Sequence, residues 1–279
     1  MIKGFLRLLN GRPQHAIGAD GRMALSDHLR ELRARLIRAT LVIVVAFSIS
    51  LFFYDQLADL IRVPYDKGVA RLDGGVKTEI VVNDVTGPLL LQLKLCGVTA
   101  IIVSSPYWLY QIWGFILPGL HATERKWSRI FAAVAGPLFF AGVATAYFVL
   151  PKAIEVLVNF TPADATNLVD FGKFFTFTTR MFLVFGIAYE IPLFVIMLNL
   201  AGVVSGKALG RYRPWIVIGT FVFAAVATPS TDPFSMLFLA IPMLILFFIA
   251  EIIARLVDRA RGKGEESTEN WDDDEVSPI

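Results

Sequence analysis

Six apolar runs alternate with shorter polar segments along this chain of 279 residues. A helix rises about 1.5 Å per residue, so about 20 apolar residues cross a hydrocarbon core of roughly 30 Å. The pattern therefore predicts an all-α membrane protein with six transmembrane helices. The predicted helices cover residues 39–54, 88–117, 130–150, 174–200, 214–227 and 234–253.

Three of these predicted helices have unusual lengths. The second would extend roughly 45 Å at the usual helical rise, so it must tilt, bend at Pro106 or project from the membrane. The fifth and sixth are short and are joined by a tight polar turn at residues 228–233. A re-entrant hairpin is one alternative for this pair. We predict two short full spans, because the charge distribution requires both flanks on the same side.

Lysine and arginine residues are distributed unevenly between the predicted connections. The connections on the side of residues 1–38 carry eighteen of them, and those on the other side carry six. Basic connections remain in the cytoplasm, so both ends of this multi-pass chain are predicted to be cytoplasmic. The other two cations, Lys94 and Arg180, lie in the outer parts of spans two and four, where their side chains can snorkel outward.

Composition supports one integral membrane domain. Hydrophobic residues make up 56% of the chain and the mean hydropathy is +0.62, above the roughly 45–50% apolar content of soluble domains. Residues 25–255 are predicted to form the six-span domain. Residues 1–24 are predicted to be a flexible polar cytoplasmic extension, and residues 256–279 a disordered acidic cytoplasmic tail.

No signature of an enzyme occurs in the sequence. The run GVVSGKA at residues 202–208 has the wrong spacing for a phosphate-binding loop, and neither HExxH nor GxSxG is present. The three histidines are scattered and Cys96 is the only cysteine, so no metal site or internal disulfide is predicted. We predict a protein that is not an enzyme and that has no cofactor or nucleic-acid partner.

Glu190 lies inside an otherwise apolar run of the fourth predicted span. An acidic residue at the centre of a membrane helix costs about 2.5–3.5 kcal/mol, so it normally faces a partner, a water-filled cavity or a protein interior. Pro192 removes a backbone donor two residues later, and a kink is predicted there. The alternative to a functional role is a buried carboxylic acid that hydrogen-bonds to its neighbours.

Two further carboxylates occur in short basic segments that are predicted to lie on the cytoplasmic side. Glu31 lies in the helical pattern before the first span, and Glu124 in the loop before the third. Each segment alone would be explained as an anchor to lipid headgroups. A pure anchor has no use for carboxylates, which repel anionic lipid. Paired carboxylates would instead bind a cationic ligand, and guanidinium groups pair with carboxylates in bidentate geometry.

Six motifs follow one another in order between residues 25 and 253. They are HLRELRARL at 28–36, NDVTGP at 83–88, SPYWLYQIWGF at 105–115, FILPGLHATERK at 115–126, FGIAYEIPL at 185–193 and LAIPM at 239–243. Together they resemble TatC, the receptor subunit of the twin-arginine protein translocase. The resemblance implies a concave, glove-like fold that binds twin-arginine signal peptides at the cytoplasmic face. It also implies export of folded proteins by proton-motive force, with TatA- and TatB-type single-span proteins, further copies of the chain and membrane lipid as partners.

The resemblance also implies roles for particular residues. The signal-peptide site would contain Glu31, Arg33, Phe115, Pro118, Glu124 and Arg125. Partner docking within the membrane would use Glu190, Thr228 and Asp232, and a cap on the outer side would include Pro64 and Asp84. Two features depart from the family pattern: Thr231 is an insertion in the polar turn, and Met236 stands where glutamine is frequent.

The main alternative is an ion-coupled transporter of small solutes with Glu190 as the proton site. Such proteins place acids near broken helices at the bilayer midplane. Against this, the halves of the chain show no internal repeat, and one ionisable residue alone lies deep in the predicted bundle. An inert membrane scaffold, a third interpretation, would leave Glu31 and Glu124 without a role.

Overall fold

The structure is a computed structural model that describes residues 25–72, 77–82, 85–116, 125–162, 165–228 and 233–261. Helices dominate it, which confirms the predicted all-α class. They are α1 Leu25–Phe52, α2 Tyr54–Val69, α3 Gly87–Val103, α4 Ser105–Ile116, α5 Arg125–Asn159, α6 Phe171–Leu200, α7 Gly206–Arg211, α8 Arg213–Ala227 and α9 Pro233–Ala260. Two short strands, β1 Lys77–Val81 and β2 Thr166–Asp170, complete the described fold.

Four helices of the described residues, α1, α5, α6 and α9, are long and apolar enough to cross a membrane. The bent pair α3 and α4 makes a fifth if it is counted as one broken span. The 15 residues of α8 are equally apolar but extend only about 22 Å. The sixth span therefore remains a prediction.

The break between α3 and α4 lies next to Pro106, at the bend that was one of three alternatives for the long second run. The two helices meet at an angle of 56°. Pro106 has no amide hydrogen to donate to the Ile102 carbonyl in the preceding turn, and two side chains hydrogen-bond other carbonyls of that turn. The Trp108 indole donates to the Ile101 carbonyl at 2.9 Å, and the Ser104 hydroxyl donates to Ala100 at 2.6 Å. The bend is therefore stabilised by the SPYW sequence around it.

Helices α5 and α6 form the centre of the bundle and approach closely through small residues. A Cβ atom on Gly142 would lie 2.5 Å from the Phe185 carbonyl oxygen, and one on Gly186 would lie 2.7 Å from the Phe139 ring. Phe139 and Phe185 are both fully buried. Without a hydrophobic force between helices in lipid, such backbone proximity is a main source of association.

We expect Gly142→Ala to lower the thermal unfolding temperature of the purified protein in detergent. The added methyl group meets backbone, which cannot move aside, and overpacking of this kind costs about 1–3 kcal/mol. Gly219→Ala is the matched control, because a Cβ there meets no atom within 4 Å. An equal effect of the two substitutions would contradict the close α5–α6 approach.

One end of the bundle carries a cap formed by α2 and the parallel strands β1 and β2. The strands pair in the register Lys77↔Thr166 to Val81↔Asp170. The Tyr65 hydroxyl hydrogen-bonds the Thr78 hydroxyl at 2.9 Å, which joins α2 to β1. A Cβ on Gly68 would lie 2.8 Å from the Pro151 carbonyl, so α2 also packs directly on α5. The resemblance implied a cap that includes Pro64, but the sequence analysis predicted neither the helix α2 nor the strands β1 and β2.

The opposite end of the bundle, which we call the basal end, is held by polar contacts between α6, α7, α8 and α9. The Glu251 carboxylate is 1% exposed and accepts hydrogen bonds at 2.7 Å from Arg213 Nε and Nη2, and it also pairs with Arg255. Asp258 accepts hydrogen bonds from Asn199 Nδ2 at 2.8 Å and from the backbone amide of Gly206 at 2.6 Å.

This network corrects the predicted length of the last helix. We predicted a short helix that ends at residue 253, but α9 has 28 residues and ends at Ala260. The charged residues that suggested an end are paired with α6, α7 and α8 across the helix surface, so the helix continues. The tail predicted from residue 256 therefore begins inside α9, and residues 262–279 lie outside the described part of the chain.

Candidate functional site

Glu31 lies in the second turn of α1 at the basal end, where Arg35 holds it. Arg35 donates from Nε at 2.8 Å and from Nη2 at 2.6 Å to the same carboxylate oxygen of Glu31. Both side chains keep 18% of their surface exposed. Glu31 is therefore already paired with a guanidinium group, from within its own helix, and remains accessible to solvent.

Arg35 also joins α1 to α4. Its Nη1 lies 3.5 Å from Oε1 of the buried Gln111, and a Cβ on Gly114 would lie 2.5 Å from Nη1. His28 stacks on Phe115, with ring centroids 4.3 Å apart and an interplanar angle of 16°. These contacts place Glu31 beside the last turns of α4, so two of the predicted signal-peptide residues, Glu31 and Phe115, come together.

The structure brings only part of the predicted signal-peptide site into view. Arg33 is exposed on α1. Arg125 begins α5, but its side chain is not among those described, and Pro118 and Glu124 lie outside the described residues. The geometry between Glu31 and Glu124 thus stays a prediction.

Glu190 lies in α6, which continues through Pro192 without a break. Both of its carboxylate oxygens are buried, and neither meets hydrogen-bonding geometry with any described residue. The Trp113 indole of α4 interacts with this carboxylate, but its buried N–H is also left without a hydrogen bond of acceptable geometry. The alternative of a carboxylic acid satisfied by its neighbours is therefore not what the described residues provide.

Trp113 sits where three helices meet, which fixes its position beside Glu190. Its ring centroid lies 5.9 Å from that of Phe131 on α5 and 6.2 Å from that of Phe194 on α6. Phe194 is one helical turn beyond Glu190. The pair of a buried carboxylate and a buried indole donor thus forms a polar spot inside an apolar junction of α4, α5 and α6.

The remaining predicted site residues are dispersed. Thr228 ends α8, is buried, and its hydroxyl donates to the Ala224 carbonyl at 2.9 Å. Pro64 is buried in α2 within the cap. Asp232 and Asp84 lie outside the described residues. Met236, at the position of the departure from the family pattern, packs partly buried against the main core.

Sequence analysis missed Gln111, Trp113 and the Glu251 network. The first two lie in the SPYWLYQIWGF motif, whose density of aromatic and amide groups was a usable signal. Glu251 gave only the weak signal of an acid near the end of an apolar run. Within the described ranges no group of three or more His, Cys, Asp or Glu side chains is arranged to hold a metal ion.

Apolar helices of membrane-spanning length, a broken span and a buried carboxylate inside an apolar helix define a multi-pass α-helical membrane protein. Comparison with known proteins identifies which kind. The profile of the family described as "Sec-independent protein translocase protein (TatC)" matches residues 27–242. The chain belongs to this family and is a component of the Sec-independent protein translocase.

Relatives and solved structures agree with this assignment. A protein from Frankia casuarinae named "Sec-independent protein translocase protein TatC" is 39% identical over 273 residues, covering 93% of this chain and 74% of the relative. The protein of the same name from Escherichia coli strain K12 is 33% identical over 243 residues, covering 86% of this chain and 92% of the relative. The chain is also similar to the crystal structure of a twin-arginine translocase receptor TatC. The TM-score is 0.69 at 30% identity, and the match covers 83% of this chain and all of that one.

Proposed function

We propose that this protein is the receptor of a twin-arginine translocase. It binds signal peptides that carry two consecutive arginines, recruits TatA- and TatB-type single-span proteins, and exports folded proteins with proton-motive force. The observation that carries the proposal is the Glu31 carboxylate, which is held in guanidinium-binding geometry at the basal end and remains accessible. The similarity to a solved protein described as a twin-arginine translocase receptor supports the same function.

The proposed topology places the basal end in the cytoplasm of a cell with an inner membrane. The start of α1, the helix α7 and the end of α9 lie at this end, and most of the chain's basic connections join there. Retention of basic connections in the cytoplasm supports this orientation. Both ends of the chain are then cytoplasmic, α8 supplies the sixth span, and the cap faces the outer side.

In the proposed binding step, an arginine of the signal peptide replaces the Arg35 guanidinium group on Glu31. A partly exposed Glu–Arg pair contributes only about 0.3–0.5 kcal/mol when its members are one helical turn apart. An arginine of the signal peptide can therefore replace Arg35 on Glu31 at small cost, and a bidentate contact gains from the planar fork of the incoming group. Glu124 is proposed to bind the second arginine. Arg33, Phe115, Pro118 and Arg125 would line the same site.

Partner recruitment is proposed to use the polar spot of Glu190 and Trp113. Glu190 is partly exposed although both of its oxygens are buried, so a change of its side-chain rotamer would bring the carboxylate to a donor on a partner's transmembrane helix. That donor would supply the hydrogen bond that the described residues do not provide, and unsatisfied polar groups in an apolar environment are costly. Thr228 and Asp232, at the turn between α8 and α9, would extend this docking surface. Pro64 and Asp84 would belong to the cap that covers the outer side. Further copies of the chain are proposed to assemble into the working complex.

Site-specific photo-crosslinking tests the receptor function. A photoreactive residue in place of Arg33 is expected to crosslink to a precursor with an Arg-Arg signal, and the yield is expected to fall about tenfold with a Lys-Lys signal, which lacks the bidentate fork. The same photoreactive residue in place of Glu79, an exposed residue of the cap, is the control and should give no crosslink. Equal yields from the two signals, or a crosslink from position 79, would rule out the proposed site.

A further inference from the structure

A cavity of about 610 Å³ opens at the cap end, between α2, α3 and the start of α6. Four cationic side chains from three helices line it: Arg62 of α2, Lys94 of α3, and Lys173 and Arg180 of α6. The proposed roles in signal binding and partner docking use none of them. The sequence analysis treated Lys94 and Arg180 as two separate snorkelling cations, whereas the fold brings them to one cavity.

Among the described residues, the four cations of this cavity face a single carboxylate. Asp170 is the one acidic residue among those that line it, and its Oδ1 accepts the backbone amide of Lys173 at 2.9 Å as a helix cap. Among the described residues none of the four cations forms a salt bridge. Clustered charge of one sign in a concave site concentrates counter-ions of the opposite sign. The cavity is therefore built for an anion.

The depth of the cations indicates what kind of anion fits. Lys94 lies seven residues into α3 and Arg180 nine residues into α6, which is about 10 and 14 Å along helices that cross the membrane. Arg62 stays near the rim, with its guanidinium carbon 5.7 Å from the centroid of the Phe171 ring. A lipid headgroup lies at this level of a bilayer, where basic side chains attract it.

The apolar part of the lining suits the same ligand. Leu90, Leu91 and Phe177 line the cavity together with the cations. The volume falls in the range of roughly 300–1,000 Å³ that is typical of small-molecule sites. An amphipathic ligand with a phosphate group and alkyl chains matches both parts of the wall.

We propose that this cavity binds the headgroup of an anionic phospholipid from the leaflet at the cap end. Lys94 and Arg180 contact its phosphate, Arg62 and Lys173 close the rim, and the first carbons of the acyl chains lie along Leu90 and Phe177. Bound lipid would join the walls of α3 and α6 at this end through a shared counter-ion. The site is separate from the basal end, so it does not depend on the proposed signal-peptide function.

Native mass spectrometry of the full chain, titrated with dioleoylphosphatidylglycerol or dioleoylphosphatidylcholine, tests the site. The wild type is expected to bind the anionic lipid more tightly. Each basic group near a headgroup contributes about fivefold in affinity, so Lys94→Gln with Arg180→Gln should reduce the preference roughly 25-fold. Lys67→Gln with Arg71→Gln is the matched control. These two exposed cations lie at the same end of the protein but outside the cavity, and the preference should stay within about twofold of wild type.

Four results would overturn the proposal, and the first three concern lipid preference. They are no preference for the anionic lipid in the wild type, an unchanged preference in the Lys94/Arg180 variant, and equal losses in both double variants, which would indicate attraction by net charge alone. A crosslink of an acidic partner segment to Lys94, with no lipid preference, would also overturn it. Lys94→Arg keeps the charge and should retain binding. If the double variant does not fold, the single Lys94→Gln change is expected to lose about fivefold.

Discussion

Replacing Glu31 and Glu124 together by alanine is expected to abolish export and to weaken signal-peptide binding by roughly a hundredfold or more. A hydrogen bond to a charged group contributes about 1.5–3 kcal/mol, so the loss of two such contacts gives at least this factor. Binding is measured with a fluorescent signal peptide and the purified protein, and export by protease protection of a precursor in membrane vesicles. The single substitutions should each cost about tenfold, since each removes one of two guanidinium contacts.

The control for this double variant removes two acids of equal charge from the cap. Glu79→Ala with Asp66→Ala changes exposed residues at the other end of the protein and should leave binding and export near wild type. Because Glu31 also holds Arg35, which joins α1 to α4, thermal unfolding must be measured in parallel. Unchanged binding in a folded Glu31→Ala, Glu124→Ala protein would defeat the receptor proposal.

Substituting Glu190 by alanine is expected to separate recruitment from stability. Neither carboxylate oxygen has a hydrogen bond from the described residues, so the isolated protein should be as stable as wild type or more so once this buried group is removed. Recruitment of TatA- and TatB-type partners should fall about tenfold or more, with loss of export, because a partner's polar group loses its acceptor. Signal-peptide binding should be retained. Co-purification, unfolding and peptide binding measure the three effects.

Glu251→Ala provides the comparison for this experiment. Glu251 is likewise a buried acid in an apolar helix, but it accepts hydrogen bonds from Arg213 and Arg255. Its removal leaves two cations without their partner, and the unfolding temperature should fall by several degrees. If Glu190→Ala destabilises the protein as Glu251→Ala does, Glu190 is a structural acid.

Uptake of a small solute by proteoliposomes that contain this chain alone would instead favour the ion-coupled transporter.

Sequence patterns predicted the parts of this fold that depend on local composition. The long apolar runs became α1, α5, α6 and α9, and Pro106 lies at the bend between α3 and α4, which was one of the three alternatives for the second run. The helix α2 was missed because its low overall hydropathy hid the spacing of Leu57, Ile61 and Tyr65, which places apolar groups on one face. The pairing of β1 with β2 could not be predicted, because these five-residue strands are far apart in the chain and meet only in the folded bundle.

The candidate site likewise has parts that the sequence could predict and parts that it could not. Residue type and position identified Glu31 and Glu190, because a carboxylate in a basic or apolar segment is conspicuous. Contacts between helices were beyond such reasoning: the docking of Arg35 on Gln111, the indole of Trp113 beside Glu190, and the gathering of Lys94 with Arg180 all depend on how the helices pack. The end of α9 was predicted too early for a related reason. Its charged residues suggested a helix end, but their partners are on other helices.

The register of the parallel strands β1 and β2 sets the position of Glu190 relative to the neighbouring helices. Strand β2 passes into α6 without an intervening residue, so the pairing of Val81 with Asp170 sets the height at which that helix starts. Glu190 lies twenty residues further on, about 30 Å along a rigid rod. A slip of one residue in the pairing of β1 with β2 would shift α6 by about 3.3 Å along its axis. The Glu190 carboxylate would then move past the indole of Trp113. Alignment of a polar contact deep in the bundle is thus set by ten strand residues in the cap.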